Sequence, residues 1–222
     1  MTLQLLLFTT QVDEGSRALA AGVDGLIVDW ENADKSRRQS GFDTEINCDT
    51  AADLARMQTL DPPVLLCRIN GTRAGRVAEE VELALKHGAT DIFLPMVESA
   101  AEVDRFYSLV NERARVGILV EQEAAVLKAR ELALTPIQSV YVGLNDLRIS
   151  RNSRAIFDAV VDGTVAKLRE TFRDIEFGFG GLTVLDRGHP IPCRRFLEEL
   201  VRVGANFTFL RRSFKKDIQS RD

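Results

Sequence analysis

The sequence predicts a single α/β domain, residues 1–222, folded as a (β/α)8 barrel of the TIM type. Two observations predict this fold. Eight short apolar runs alternate with longer amphipathic runs, which is the pattern of strands and helices around a parallel sheet. No linker interrupts the series, and no Gly-rich nucleotide-binding turn indicates an open doubly wound sheet, so closure into a barrel is favoured.

The short runs predict strands at residues 4–8, 25–30, 64–69, 91–96, 116–120, 139–144, 176–179 and 206–210. The amphipathic runs predict helices at residues 13–21, 50–60, 74–87, 100–114, 123–134, 156–172 and 192–203. In the third helix Val77, Val81 and Ala84 share one face, whereas Glu79 and Glu80 are assigned to the solvent face. This spacing predicts a helix with one buried and one exposed side.

A glycine follows three of the helices immediately before a strand, in Ala-Gly-Val-Asp (21–24), His-Gly-Ala-Thr (87–90) and Val-Gly-Ala-Asn (203–206). Glycine is favoured there because the residue that ends a helix often adopts a positive φ. The recurrence indicates a repeated βα unit. Only residues 211–222 follow the last strand, so we expect a short or missing eighth helix and a homo-oligomer that covers the open flank.

The composition is that of a globular protein. Hydrophobic residues make up 45% and charged residues 28% of the chain, and the interspersed charges, with a net charge of -4, argue against nucleic acid as a partner. Cys48, Cys67 and Cys193 are odd in number and lack metal-binding spacing, so we expect reduced thiols. The N-terminal apolar run is too short for a signal peptide, and no apolar stretch is long enough to span a membrane. We therefore expect a cytoplasmic protein without a membrane partner.

Polar side chains that directly follow the predicted strands form the candidate site, because functional groups in this fold project from the carboxyl ends of the strands. Glu121 ends the fifth strand and Asp146 follows the sixth, so these neighbouring carboxylates are expected to bind Mg²⁺ or Mn²⁺. Arg68 ends the third strand and offers a planar fork of donors to a substrate carboxylate. A metal and Arg68 together suit a 2-oxo acid or its enolate.

A different interpretation of the same residues stays open. Glu121 and Asp146 also fit a pair of acids at the barrel mouth that Arg68 neutralises without a metal. Arg68 also fits a structural ion pair with Asp29 or Glu31, which lie at the end of the second strand.

Five segments stand in order at the ends of successive predicted strands: GVDGLIVDWENADK (22–35), LLCRING (65–71), GATDIFLPMVESAAEV (88–103), ILVEQEAAV (118–126) and VGLNDLRIS (142–150). Together they resemble the HpcH/HpaI aldolase and citrate lyase beta-subunit family. The resemblance covers most of residues 20–150 and weakens beyond them.

The resemblance implies a metal-dependent barrel of the phosphoenolpyruvate/pyruvate type that makes or breaks a carbon–carbon bond beside a carbonyl. The implied intermediate is an enolate of a 2-oxo acid, pyruvate or oxaloacetate, or of an acyl-CoA thioester. Glu121 matches the first metal ligand, Asp146 the second, and Arg68 the arginine that binds the substrate carboxylate. Asp29 and Glu31 match the acidic catalytic pair of the second strand.

Other positions are expected to complete the site. Pro95 and Met96 end the predicted fourth strand, Asn145 follows the sixth, and all three are assigned to substrate binding. Met96 follows Pro95 as in the aldolase branch, where the citrate lyase branch commonly has lysine. Asn32 stands where the aldolase branch carries a histidine base, so the chain matches neither branch fully. His189, on the loop after the seventh strand, is a candidate for that base or else a solvated loop histidine.

Two alternatives to a lyase or aldolase are carried forward. The same site would serve another enolate reaction, such as thioester hydrolysis or a biosynthetic condensation, and Asn32 in place of histidine motivates this version. A catalytically silent barrel subunit is the alternative outside the enzymes, suggested by the missing histidine and the short C-terminus.

Overall fold

The computed structural model describes residues 2–32 and 49–219, and it confirms the closed barrel. Eight parallel strands follow one another around the barrel in chain order, and β1 pairs with both β2 and β8. The strands are β1 (Gln4–Phe8), β2 (Gly25–Asp29), β3 (Val64–Arg68), β4 (Asp91–Leu94), β5 (Arg115–Val120), β6 (Ser139–Val142), β7 (Glu176–Phe179) and β8 (Phe207–Leu210). Each predicted strand is present, with bounds that differ by at most two residues.

The helices pack around the outside of the barrel. They are α1 (Val12–Ala20), α2 (Ala51–Gln58), α3 (Val77–Lys86), α4 (Ala100–Val110), α5 (Glu123–Leu127), α6 (Ala129–Leu132), α7 (Leu144–Arg151), α8 (Asp158–Val161), α9 (Thr164–Thr171), α10 (Cys193–Val203) and α11 (Arg212–Gln219), with a 3-10 turn at Thr72–Ala74. Helix α11, which follows β8, is short, as predicted. Gly22, Gly88 and Gly204 have φ of +93°, +85° and +81°, which confirms the predicted helix-ending glycines. Among the described residues, no helix is long and apolar enough to cross a membrane.

Two predicted helices are divided, and one helix was not predicted. The single helix expected at residues 156–172 is wrong, because Gly163 separates α8 from α9 with a φ of +80° that an α-helix does not contain. The helix expected at residues 123–134 is α5 and α6, which meet at Lys128. Helix α7 begins where the sixth strand was expected to end, directly after Gly143.

The inside of the barrel is filled by apolar and aromatic side chains from the strands. They are Leu6, Ile27, Leu66, Phe93, Leu119, Tyr141, Phe207 and Phe209. Tyr141 and Phe209 stack with ring centroids 3.7 Å apart. Strand glycines give the rings room, since a Cβ on Gly117 would overlap the Phe93 ring and one on Gly178 would lie 2.9 Å from Tyr141 Cδ2. The barrel is therefore a packed core and not a pore.

A larger core lies between the strands and the helices. Leu54, Phe106 and Leu200 each expose 1% or less of their surface, so the apolar helix faces are buried as predicted. The expectation that Glu80 of α3 faces water is wrong. Glu80 is 7% exposed because its carboxylate accepts two hydrogen bonds from Asn70, which compensate its burial.

Two of the three cysteines lie in the described residues. Cys67 and Cys193 are buried free thiols, in agreement with the prediction, and Cys48 lies outside the described residues. Burial raises the pKa of Cys67 well above its ordinary value, and the negative charge of Asp29 raises it further. Cys67 therefore lacks the thiolate character of a reactive cysteine.

Candidate active site at the carboxyl end of the barrel

Strands β2, β3 and β5 carry charged side chains to the carboxyl-terminal mouth of the barrel. In each case an interior apolar residue is followed two positions later by a charged residue, and side chains two positions apart share a face. The pairs are Ile27 and Asp29, Leu66 and Arg68, and Leu119 and Glu121. Asp29 and Arg68 also lie opposite each other in the β2–β3 register. Strand alternation thus gathers three charged side chains at one end of the barrel.

Arg68 is held by two carboxylates. Its Nε and Nη2 donate to Oδ1 and Oδ2 of Asp29 at 2.8 and 2.7 Å, and its Nη1 lies 3.3 Å from Glu31 Oε2. The guanidinium lies over the Phe8 ring, 5.5 Å from its centroid. Burial opposes the positive charge, but Asp29 and Glu31 outweigh it and hold the pKa of Arg68 well above its usual value. The ion-pair arrangement left open above is therefore present.

Backbone hydrogen bonds connect Asp29 with Glu31 and Asp49. Glu31 donates its N–H to Asp29 Oδ1 at 3.1 Å, and Asp29 donates its own N–H to Asp49 Oδ2 at 2.9 Å. Asp29 and Glu31 are 0% and 1% exposed. Burial raises the pKa of Asp49, which sequence analysis did not single out.

Glu121 is buried at the mouth, with 1% of its surface exposed. Its Oε1 accepts the Met96 N–H at 2.8 Å. Burial first, and then the charges of Glu31 and Asp146, raise the pKa of Glu121 to about 8, although Arg68 and the Met96 N–H oppose the change. Burial and the neighbouring carboxylates thus outweigh the effect of the Arg68 guanidinium on this carboxyl.

Asp146 reaches the site from a helix. The sequence predicted Asn145 and Asp146 at the end of the sixth strand, but both lie in the first turn of α7, because β6 ends at Val142 and Gly143 begins the helix. An acidic residue in a first helical turn is stabilised by the N-terminal end of the helix dipole. Both side chains are half-buried, and Asp146 is close enough for its charge to raise the pKa of Glu121.

A buried polar network behind the charged cluster connects the ends of β2 and β3. Asn70 Nδ2 donates to Trp30 O at 2.9 Å and to Glu80 Oε1 at 2.8 Å, and the Asn70 N–H donates to Glu80 Oε2 at 2.7 Å. Asn32 in turn donates its N–H to Asn70 Oδ1 at 3.0 Å. Asn70 follows Arg68 by two positions, so strand alternation indicates its direction. The part played by Glu80 was not predicted, since it depends on how α3 packs.

Some of the remaining predicted site residues lie at the charged cluster and others do not. Pro95 is buried after β4, and Met96 joins the cluster through its hydrogen bond to Glu121. Asn145 lies on α7 next to Asp146. His189 is exposed on the loop between β7 and α10, and within the described part of the chain it forms no hydrogen bond to the cluster.

The cluster contains more acids than bases. The charges of Asp29, Glu31 and Glu121 act on Arg68 and raise its pKa. Asp146 joins the cluster through Glu121, whose pKa it raises. Within residues 2–32 and 49–219, no group of three or more His, Cys, Asp or Glu side chains is arranged to hold a metal ion. Mg²⁺ usually takes one or two protein carboxylates and completes its shell with waters and substrate oxygens. Glu121 and Asp146 fit this requirement in donor type and number, and the surplus negative charge suits a divalent cation.

A closed parallel barrel with acids and an arginine at its carboxyl-terminal mouth has the layout of the (β/α)8-barrel enzymes, whose active sites lie at this end. The family model described as HpcH/HpaI aldolase/citrate lyase matches residues 9–155. The chain therefore belongs to this family, as the resemblance predicted. Membership supports a lyase or aldolase kind of function. No curated protein sequence matches the chain significantly.

Solved structures share the fold over nearly the whole chain. A HpcH/HpaI aldolase/citrate lyase family protein from Burkholderia cenocepacia J2315 has a TM-score of 0.73 at 15% identity, covering 98% of this chain and 94% of its own. The citrate synthase SbnG has a TM-score of 0.71 at 14% identity, covering 99% and 90%. The citrate lyase beta subunit from M. tuberculosis, complexed with oxaloacetate and magnesium, has a TM-score of 0.66 at 20% identity, covering 96% and 93%. At these identities the similarity shows the fold alone.

Proposed function

We propose that this chain is a divalent-metal-dependent carbon–carbon lyase or aldolase that acts through an enolate. Glu121 and Asp146 hold Mg²⁺ or Mn²⁺ in this proposal, and the substrate is a 2-oxo acid such as pyruvate or oxaloacetate, or an acyl-CoA thioester. The observation that carries the proposal is the gathering of Asp29, Glu31, Glu121 and Asp146 with Arg68 at the barrel mouth, where burial and then the charges of Glu31 and Asp146 raise the pKa of Glu121 to about 8. A carboxyl group with a strongly shifted pKa at the mouth of a barrel is typical of binding and catalytic sites.

The reaction class follows from where charge develops. Cleavage of a carbon–carbon bond beside a carbonyl leaves the bonding electron pair on the adjacent carbon, and the negative charge spreads to the carbonyl oxygen. A bound divalent cation supplies an electrophile that stabilises this charge. Arg68, aligned by Asp29, offers its Nη1 edge beside Glu31 to a substrate carboxylate. The reverse sequence forms the bond.

The structural neighbours support a proposal that covers both cleavage and formation of the carbon–carbon bond. One is a lyase subunit complexed with oxaloacetate and magnesium, and another is a citrate synthase. A shared fold does not determine which reaction a protein performs, so the substrate has to be identified by experiment.

Metal and 2-oxo acid binding test the proposal. We expect the metal-free protein to bind Mg²⁺ or Mn²⁺ in calorimetric titrations, and to bind oxaloacetate or pyruvate only when the metal is present. Glu121→Gln and Asp146→Asn keep the side-chain size but remove a negative ligand. Each is expected to weaken metal binding by more than about tenfold, since losing even an outer-shell partner typically costs that much.

The matched control is Glu131→Gln, which changes an exposed acid on α6 and is expected to bind the metal like the wild type. If neither the wild type nor the control binds a divalent cation, the metal-dependent function is wrong, and the silent barrel subunit becomes the better hypothesis.

His189 is the proposed general base, because Asn32 has no basic atom and His189 lies on a loop at the same end of the barrel. We expect His189→Gln to lower turnover of the identified substrate by about 100-fold or more without changing metal affinity. His87→Gln, at the end of α3, changes the other histidine of the chain and serves as the control. Unchanged turnover in His189→Gln would remove this residue from the mechanism.

A further inference from the structure

The two carboxylate oxygens of Glu121 have different surroundings. Oε1 accepts the Met96 N–H at 2.8 Å. Met96 has a φ of +57°, a left-handed conformation that is rare for a long side chain and that costs energy. Such conformations cluster at functional sites, where the surrounding structure maintains them. One oxygen of Glu121 is thus held on the β4 side by a backbone donor in an unusual conformation.

The other oxygen lies against Gly143. A Cβ built on Gly143 would be 2.6 Å from Glu121 Oε2 and 3.0 Å from Glu121 Cβ. The backbone of Gly143 has φ -81° and ψ 89°, with negative φ, so its conformation does not itself call for glycine. Space for the Glu121 carboxylate is therefore the physical reason for glycine at this position.

The Gly143 backbone is fixed from two sides. Its N–H donates to Val120 O at 3.2 Å, in the residue that precedes Glu121, and its carbonyl accepts the Leu147 N–H at 3.0 Å in the first turn of α7. A side chain added at position 143 is thus expected to displace the Glu121 carboxylate and not the backbone. The same segment leads directly into the turn that carries Asp146.

We propose, on the basis of the metal role suggested above for Glu121, that Gly143 is a positioning residue that selects the oxygen this carboxylate presents to a cation. Met96 holds Oε1 on the β4 side, and the missing Cβ of Gly143 leaves Oε2 directed toward the segment that carries Asp146. Glu121 then binds the cation through Oε2, and Gly143 controls metal affinity without being a ligand.

Gly143→Ala tests this role, with Gly71→Ala as the matched control. Gly71 also borders the site, but a Cβ there would lie 3.4 Å from Met96 Cβ and from Pro95 O, which is ordinary contact distance, and its φ is -65°. We expect Gly143→Ala to weaken Mn²⁺ binding in calorimetry by about 10- to 100-fold, the range for lost support of a metal ligand. Gly71→Ala is expected to bind Mn²⁺ like the wild type.

A double-mutant cycle measures the same contact without a metal. In urea unfolding with a chelator present, Gly143→Ala is expected to lower the midpoint in the wild-type background and to lower it less in the Glu121→Ala background, where only the 3.0 Å contact with the Cβ of residue 121 remains. A larger loss in the chain that keeps the Glu121 carboxylate identifies that carboxylate as the group that the methyl displaces.

The outcomes separate this proposal from the proposed function. If the wild type binds no Mn²⁺, the metal-dependent function is wrong. The proposal that Gly143 selects the oxygen for a cation is then wrong too, even if the double-mutant cycle shows that positions 143 and 121 are coupled. If the wild type binds Mn²⁺ but Gly143→Ala binds it equally well, or if the cycle shows no coupling to Glu121, the positioning role alone is overturned.

Discussion

Arg68 contacts Asp29 and Glu31 at the same time, and the geometry of arginine explains how. The planar guanidinium presents one two-donor edge to Asp29 and a further nitrogen to Glu31, an arrangement that the ammonium group of lysine does not provide. Two buried carboxylates without such a partner would be strongly destabilising. The ion pair and the proposed substrate contact are compatible, because Asp29 aligns the guanidinium whose Nη1 edge lies beside Glu31.

The raised pKa of Glu121 predicts a pH-dependent stability of the metal-free protein. The folded pKa is about 8 against an ordinary value of 4.5, so the folded chain binds this proton more tightly than the unfolded chain. The resulting stabilisation is fully present below about pH 4.5 and is lost as the pH rises through about 8. The free energy of unfolding should therefore fall between about pH 6 and pH 9, by on the order of 2 kcal/mol, since one pKa unit corresponds to about 1.4 kcal/mol.

Urea unfolding with a chelator present measures this change, and Glu121→Gln is the reference because its amide does not titrate. The difference in unfolding free energy between the two proteins is expected to grow with pH in favour of Glu121→Gln. Parallel pH profiles would show that Glu121 ionises normally in the folded protein.

At the scale of the elements, β5 and β7 each have a glycine at a position where a neighbouring strand places a large aromatic ring inside the barrel. Gly117 and Gly178 leave space for the rings of Phe93 and Tyr141, which fill the barrel. Interiors packed at this density tolerate added volume poorly. Composition alone does not show which glycine accommodates which ring.

Gly117→Ala tests this complementarity. The added methyl would overlap the Phe93 ring, so we expect the free energy of unfolding to fall by about 1–3 kcal/mol, the usual cost of overpacking. Phe93→Leu introduced into the same chain should recover part of the loss, and Phe93→Leu alone provides the reference for a double-mutant cycle in urea. Additive losses would mean that the two positions do not compete for space.

The end of β6 illustrates why an element boundary was misplaced. Residues 139–144 form one apolar run, and Leu144 and Leu147 are both buried, so the local pattern suits a strand as well as the start of a helix. The strand stops at Val142. Asp146 nevertheless reaches the mouth, because α7 starts one residue after Gly143 and its first turn remains at the same end of the barrel.

For the whole molecule, the closed eight-stranded barrel is shared by proteins whose sequences differ at most positions. Neighbours at 14–20% identity cover 96–99% of this chain, which shows that different side chains fill the same architecture. Apolar strand positions and the repeated βα spacing predict the class of such a fold. Homo-oligomer formation and a cytoplasmic location remain predictions from the sequence.

The sequence by itself determined the number and order of the strands, the closed α/β architecture, and the end of the barrel that Asp29, Arg68 and Glu121 occupy. These properties follow from local periodicity, because side chains alternate along each strand and parallel strands end together. The tertiary structure alone decided that Glu80 supports Asn70, that the Met96 N–H donates to one oxygen of Glu121, and that the missing Cβ of Gly143 leaves room for the other. Such contacts depend on how closely elements far apart in the chain pack together, where a shift of less than an ångström makes or breaks a contact, and no local sequence pattern encodes that distance.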